Sequence, residues 1–145
     1  MVVQIFKDNT MLRYLCVPVL TLGLVPHCLA ADYDLSSEII GIYNCTGNDA
    51  IHKPSAFNSI LTITKQGQQY IMSETVTQGS KTFNFNQVGL RHGNTMAIAF
   101  QRSDDFKAFG TGYFTISNDG KHLSANFATW GQLNKIGSTT CERSN

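Results

Sequence analysis

The sequence has no excess of charge of either sign, and this limits the partners that it attracts. It carries 11 Lys and Arg against 10 Asp and Glu. A predicted leader takes away Lys7, Arg13 and Asp8, so nine basic and nine acidic residues remain in a formally neutral chain. Such a chain has neither a basic field to neutralise phosphates nor an acidic tract. We therefore expect no nucleic-acid partner.

The chain beyond its leader also lacks the motifs of catalysis. It contains no Gly-x-Ser-x-Gly elbow and no glycine-rich phosphate loop. Glu74 is the one acid inside a predicted strand before the last strand, whereas a glycosidase needs two carboxylates lining a cleft. Asp49 and His52 have the spacing of metal ligands, but no third ligand lies near them in the sequence. We predict a protein that is not an enzyme and that uses no metal or cofactor.

Long hydrophobic runs are equally scarce, and the one that exists is short. Residues 14–24 are apolar, two basic residues precede them, and a small-x-small site ends at Ala30. This pattern predicts a signal peptide over residues 1–30, with the start at Met1 or Met11 left open. The run falls short of the ~20 residues that span a bilayer, so we expect no membrane anchor after cleavage. Residues 31–38 are polar and are predicted to be a flexible lead-in to a domain over 39–145.

Cysteine is also sparse once the leader is removed. Of four cysteines, Cys16 and Cys28 belong to the leader, which leaves Cys45 and Cys141. A single pair in an exported protein favours a disulfide over a metal site or a nucleophile. The bridge closes a loop of nearly the whole domain, and the chain-entropy model assigns such a loop about 4–5 kcal/mol.

Short strands separated by turn signals occupy the rest of the chain. Apolar and polar residues alternate with a period of two, as in Met96, Ile98 and Phe100, and no helical stripe persists for three turns. The predicted strands cover residues 39–45, 58–65, 69–76, 81–91, 95–102, 111–117, 122–129 and 137–143.

Eight strands with short connections favour an antiparallel up-and-down barrel. Closure makes the first and last strands neighbours, so Cys45 and Cys141 are expected on adjacent strands. The alternative is a β-sandwich, but its Greek-key crossover needs a long connection. The one long loop, 46–56, joins the first two strands instead.

The alternation assigns an inner and an outer face to each strand. The residues expected in the barrel interior are Leu61, Ile63, Tyr70, Met72, Phe83, Phe85, Met96, Ile98, Phe100, Leu123 and Phe127. Several of these aromatic residues, together with Trp130, are expected to line a cavity if the interior is not simply filled. Glu74 shares the inner face with Tyr70 and Met72. We expect its carboxyl group at the rim in water, with a ligand anchor as the alternative.

The spacing of turn glycines and core residues resembles that of small lipocalin-like exported proteins of bacteria, some of which are labelled fibronectin-binding. The matching segments are Tyr43-x-Cys45-x-Gly47, Leu61-x-Ile63-x-Lys65-x-Gly67-x-x-Tyr70, Gly89-Leu90-x-x-Gly93-Asn94-x-Met96-Ala97-Ile98-Ala99-Phe100 and Gly112-Tyr113-Phe114. The resemblance implies a barrel akin to lipocalins and avidins, and it carries over no catalytic residue. The chain departs from the pattern in strand seven, where Phe127 stands in place of the Trp of the relatives.

These observations predict a secreted or periplasmic non-catalytic binding protein, bacterial rather than eukaryotic. Its ligand is a small apolar molecule or an extracellular or periplasmic protein. Phe106 and Phe109, in the loop after strand five, are expected to form a partner-facing patch. An interior cavity above ~300 Å³ favours a small-molecule binder, and a filled interior favours a protein partner. The alternative function is inhibition of a cell-wall hydrolase such as lysozyme, or of a protease, through loop 46–56 or 103–109.

Overall fold

A computed structural model describes residues 38–145, which form eight antiparallel strands. The predicted leader and the lead-in residues 31–37 lie outside this range. The strands are β1 Gly41–Asn48, β2 Ala56–Gln66, β3 Gln69–Gln78, β4 Lys81–His92, β5 Thr95–Arg102, β6 Phe109–Ile116, β7 His122–Thr129 and β8 Gly137–Arg143. Every predicted strand is present, and the main differences are that β1, β2, β3 and β6 run two or three residues further at one end of the barrel.

The strands form a closed barrel in chain order. Each strand pairs with the next, and β1 pairs with β8 to close the sheet. The prediction of an eight-stranded up-and-down barrel is confirmed, and the β-sandwich is excluded. No helix long and apolar enough to cross a membrane occurs among residues 38–145.

The disulfide lies where closure requires it. Cys45 and Cys141 are directly opposite each other in the β1·β8 register, with a Cα–Cα distance of 4.0 Å. Both side chains are buried in the barrel core. The predicted bridge between neighbouring first and last strands is therefore confirmed.

One end of the barrel, which we call the closed end, carries the β2–β3, β4–β5 and β6–β7 turns and is filled by side chains. The packed core there includes Leu61, Met72, Met96 and Leu123, each almost fully buried. Period-two alternation brings these side chains together because every second residue of a strand points inward.

The chain segment before β1 seals the closed end. The Tyr43 hydroxyl lies 2.8 Å from the Gly120 carbonyl oxygen and 3.1 Å from that of Ile39, two acceptors for its single proton. Arg143 donates from Nη1 to the Glu38 carbonyl at 3.1 Å and from Nη2 to the carbonyl of Ile40. Ile39 is fully buried, so these contacts cover the end of the core.

Candidate functional site

The other end of the barrel, the open end, contains a cavity of about 140 Å³. It lies beneath the β1–β2, β3–β4, β5–β6 and β7–β8 connections. Phenylalanine rings form much of its wall. Phe127 contacts both Phe57 and Phe100, and Phe100 also contacts Phe85, at ring-centroid distances of 6.0–6.3 Å. The phenylalanines lining the cavity are Phe57, Phe83, Phe85, Phe100, Phe114 and Phe127.

Inward-facing glycines make room for these rings. Gly47 is paired with Phe57, Gly110 with Phe100, and Phe127 stands between Gly112 and Gly137. A Cβ atom built on Gly47, Gly110 or Gly137 would overlap the ring of its paired phenylalanine. The wall therefore consists of large aromatic side chains packed directly over backbone.

A polar group interrupts the apolar wall on the side formed by β2, β3 and β4. Glu74 Oε1 accepts a hydrogen bond from Ser59 Oγ at 2.6 Å, and Oε2 accepts one from Gln87 Nε2 at 2.5 Å. Ser59 and Gln87 are only 5% and 7% exposed. The other amide atom, Gln87 Oε1, is buried without a hydrogen-bond partner. Glu74 and Gln87 both line the cavity.

Burial dominates the electrostatics of this carboxyl group. Desolvation raises the pKa of Glu74, and the hydrogen bonds from Ser59 and Gln87 lower it by less. No salt bridge to Glu74 occurs in the part of the chain that the structure describes. Ionisation of Glu74 therefore places an unbalanced charge inside the barrel.

The expectation that Glu74 lies at the rim in water is wrong. Strand parity correctly placed it on the inner face, but β3 continues to Gln78, beyond the predicted end of that strand. Val76 and Gln78 therefore stand between Glu74 and the open end, and both line the same cavity.

Charged residues at the mouth of the cavity, unlike Glu74, are paired. Arg102 donates from Nε to Asp104 at 2.7 Å and from Nη2 to Asp105 at 3.1 Å. Its guanidinium also lies 5.2 Å from the centroid of the Phe83 ring. On the other side of the mouth, His52 Nδ1 lies 2.6 Å from Asp49 Oδ2. Within residues 38–145, no group of three potential metal ligands is found.

The interior residues predicted from the sequence divide between the two halves of the barrel. All of them lie inside it. Those that line the cavity are Phe83, Phe85, Ile98, Phe100 and Phe127; those in the packed core are Leu61, Ile63, Tyr70, Met72, Met96 and Leu123. Tyr70 is thus buried away from the cavity that it was expected to line.

Trp130 does not line the cavity, contrary to expectation. It lies in the β7–β8 connection, is 64% exposed, and stacks on Phe109 at a centroid distance of 5.7 Å. Trp130 comes directly after the last residue of β7, Thr129, so the alternation of inward and outward side chains along the strand no longer applies to it.

Several cavity residues were missed by sequence reasoning, among them Phe57, Phe114 and Gln87. Phe57 was assigned to no strand because the predicted β2 began at residue 58, whereas the strand begins at Ala56. Gln87 was overlooked because it is polar, and so was Ser59, which donates a hydrogen bond to Glu74. A signal existed for Gln87, which continues the inward alternation of Phe83 and Phe85 along β4.

The predicted partner-facing residues contribute to an apolar surface at the open end. Phe106 is 74% exposed in the β5–β6 connection, and Phe109 begins β6. Trp130, Leu133 and Ile136 are exposed in the β7–β8 connection. We call these five residues the rim patch.

Comparison with known proteins adds to the description of the fold. No protein-family model and no curated protein sequence matches the chain. A solved structure described as a de novo designed fluorescence-activating β-barrel is similar, with a TM-score of 0.57 and 9% sequence identity. The match covers 72% of this chain and 93% of the designed chain. At this identity the likeness concerns the barrel fold alone.

Proposed function

We propose that this protein is an exported, non-catalytic binding protein that holds one small ring-bearing molecule in the open half of its barrel. The observation that carries the proposal is a cavity with phenylalanine walls and a buried, unpartnered acceptor, Gln87 Oε1. Pockets of this kind, apolar with a few convergent polar groups, are typical of small-molecule sites.

The volume limits the ligand to about one ring with a short polar head. A cavity of about 150 Å³ lined by apolar side chains holds benzene, whereas drug-sized ligands occupy pockets of about 300–1,000 Å³. At about 140 Å³, the cavity is smaller than the ~300 Å³ above which we expect a small-molecule binder. The interior is neither filled nor wide, and it fits a ligand at the lower end of the size range.

The polar head is a hydrogen-bond donor. A buried polar atom without a partner costs about 1–3 kcal/mol, so a donor that reaches Gln87 Oε1 recovers part of this cost. The aromatic walls supply the apolar contact, and Glu74 supplies further acceptor capacity beside the amide.

Two observations support the exported location. The buried Cys45–Cys141 disulfide is typical of oxidising compartments, and these include the bacterial periplasm and the exterior. The predicted signal peptide over 1–30 and the resemblance to lipocalin-like bacterial proteins point to the same location. The signal peptide and the resemblance are predictions from the sequence.

Titration with benzyl alcohol, followed by two-dimensional amide NMR, tests this function. We expect saturable shifts of residues around the cavity at millimolar ligand. Ala125→Leu fills the cavity from β7 and is expected to abolish the shifts. Ala97→Leu adds the same bulk to an exposed position on the outer face and is expected to leave them unchanged. Absence of saturable binding of both benzyl alcohol and benzylammonium, a second one-ring donor, to the wild-type protein contradicts the proposal.

The rim patch favours a second candidate function, recognition of a protein. Exposed aromatic and aliphatic side chains on neighbouring connections are typical of protein-binding surfaces. Inhibition of a cell-wall hydrolase such as lysozyme is one form of this function. An assay of lysozyme activity with micromolar wild-type protein tests it, with Phe106→Ser expected to weaken inhibition. No inhibition by the wild-type protein removes the lysozyme form of this candidate.

A further inference from the structure

We propose that the polar head of the ligand is a protonated amine, held by the Glu74 carboxylate and Gln87 Oε1 inside the phenylalanine cage. This inference rests on the proposed function and narrows it from any ring-bearing donor to a ring-bearing ammonium cation. Three features of the cavity carry it: the charges around it, the number of adjacent acceptors, and the aromatic wall.

The charges near the cavity favour a cation and oppose an anion. The β1–β2 connection contributes Asp49 and His52, which pair with each other. On β5, Arg102 is engaged by Asp104 and Asp105 in the following connection. The positive groups at the mouth thus already have carboxylate partners.

The remaining elements around the cavity add no other charge. The cavity-lining residues of β2, β3, β4, β6, β7 and β8, apart from Glu74 itself, are all uncharged. Glu74 is therefore the one lining charge without an opposite charge beside it. An anionic ligand would meet this carboxylate directly, whereas a cation balances it.

The acceptor arrangement also matches an ammonium group. An ammonium carries several N–H donors and no acceptor. The site presents the two Glu74 oxygens and the unpartnered Gln87 Oε1, while Ser59 and Gln87 Nε2 already donate to the carboxylate. A hydroxyl head supplies a single proton and leaves the buried charge unbalanced. An ammonium head satisfies the amide oxygen and the charge together.

The aromatic wall contributes to cation binding in the same place. The face of an aromatic ring attracts a cation within about 6 Å of its centroid, and the attraction is larger when the cation is desolvated. Phe85 is the register partner of Glu74 across β3 and β4, and it meets Phe100 edge to face. An ammonium at the carboxylate therefore lies among aromatic rings rather than in water.

Amine binding has a characteristic pH dependence. Only ionised Glu74 balances the cation, and burial raises the pKa of this carboxyl group. Acid therefore removes the site's charge while the amine stays protonated, so affinity for the amine rises with pH until Glu74 is ionised. A neutral ligand of the same shape does not gain affinity in this way.

Isothermal titration and amide NMR with benzylammonium chloride and benzyl alcohol, from pH 5 to pH 8, test the inference. We expect benzylammonium to bind more tightly as pH rises and benzyl alcohol to show no such rise. Glu74→Gln keeps the shape of the side chain and removes its charge. We expect this variant to lose at least about tenfold in benzylammonium affinity at the upper pH, because a buried partner charge is worth more than 1.4 kcal/mol.

Glu142→Gln is the matched control, since the Glu142 side chain is 81% exposed on the outer face of β8. We expect it to bind both probes as the wild-type protein does. The pH profile of the wild-type protein tests the inference independently of any variant, and so it stands even if Glu74→Gln folds poorly.

The outcomes separate this inference from the function on which it rests. Equal binding of both probes, with no pH dependence and no effect of Glu74→Gln, overturns the amine assignment and leaves the small-ligand function standing. Binding of benzyl alcohol without binding of benzylammonium likewise overturns the amine assignment and leaves the small-ligand function standing. Failure of both probes to bind the wild-type protein overturns both proposals.

Discussion

Two inward-facing polar side chains, Tyr43 and Glu74, show opposite ways of placing a polar residue inside this barrel. The Tyr43 hydroxyl has carbonyl acceptors at 2.8 Å and 3.1 Å, and burial raises its pKa, so it remains a neutral donor. Glu74 accepts two hydrogen bonds but carries a charge that nothing balances when it ionises. The first arrangement stabilises the fold, whereas the second costs stability and is typical of functional sites.

Tyr43→Phe is expected to lower the free energy of unfolding by about 1 kcal/mol, because it leaves the Gly120 carbonyl oxygen without this donor. Urea denaturation followed by fluorescence measures the change. Tyr113→Phe is the matched control, since Tyr113 is exposed on the outer face of β6. Equal effects of the two substitutions contradict a structural role for the buried hydroxyl.

Glu74→Gln is expected to stabilise the unliganded protein at neutral pH. The pKa of Glu74 is raised in the folded state, so its charge cost is absent below the unfolded value of about 4.3 and appears as pH rises. The free energy of unfolding of the wild-type protein should therefore fall, relative to that of the variant, as pH rises from the unfolded-state pKa through the folded-state pKa of Glu74. We expect the variant to be more stable than the wild type at pH 8 and to differ little from it at pH 4, as measured by urea denaturation. A variant less stable than the wild type at pH 8 disproves this.

At the scale of strands, cross-strand pairs of glycine and phenylalanine shape the cavity. Each ring projects over a residue without a side chain, as Phe57 does over Gly47 and Phe100 over Gly110. The inner face of β1, β6 and β8 thus consists of backbone near the open end, and the rings of β2, β5 and β7 occupy the space. This pairing widens the open end of the barrel, and the phenylalanine rings fill most of the added space.

Gly137→Ala is expected to destabilise the protein by about 1–3 kcal/mol, because its Cβ atom would overlap the Phe127 ring. The displaced ring enters the cavity, so binding of benzyl alcohol should weaken as well. Denaturation and NMR titration measure the two effects. Ser138→Ala alters the neighbouring outward position and should change neither. Wild-type affinity in Gly137→Ala contradicts this role of the pair.

Strand boundaries were the least predictable feature at this scale. Turns at Gly67 and Gly93 were located from the sequence because glycine adopts the positive φ values of 62° and 59° found there. At the open end, β1 and β3 were predicted to end too early and β2 and β6 to begin too late. The β1–β2 and β5–β6 connections there, unlike the Gly79-Ser80 turn between β3 and β4, are longer loops. Hydrogen bonds to neighbouring strands, rather than local residues, decide how far the strands beside these loops continue.

At the scale of the whole molecule, closure of the sheet removes both edges and places the termini of the domain side by side. Pairing of β1 with β8 extends from Tyr43↔Arg143 to Asn48↔Ser138, with the disulfide between Cys45 and Cys141 inside this register. The bridge therefore covalently joins strands that the sheet already pairs, and it spans a sequence separation of 96 residues.

Replacing both cysteines, Cys45→Ala with Cys141→Ala, is expected to lower the free energy of unfolding by up to about 4–5 kcal/mol, because the unfolded chain loses its long closed loop. Urea denaturation with and without reductant measures this change. Reductant should destabilise the wild-type protein and leave the double variant unaffected. Equal stability of oxidised and reduced wild-type protein contradicts the expectation.

The sequence by itself determined the number of strands, the direction in which most side chains point and the identity of the disulfide. These depend on local alternation, on turn glycines and on a single available cysteine pair. Tertiary structure alone decided the depth of Glu74, the missing partner of Gln87 Oε1 and the outward position of Trp130. Such features depend on how far paired strands extend and on which distant side chains meet across the barrel, and no local pattern encodes those distances.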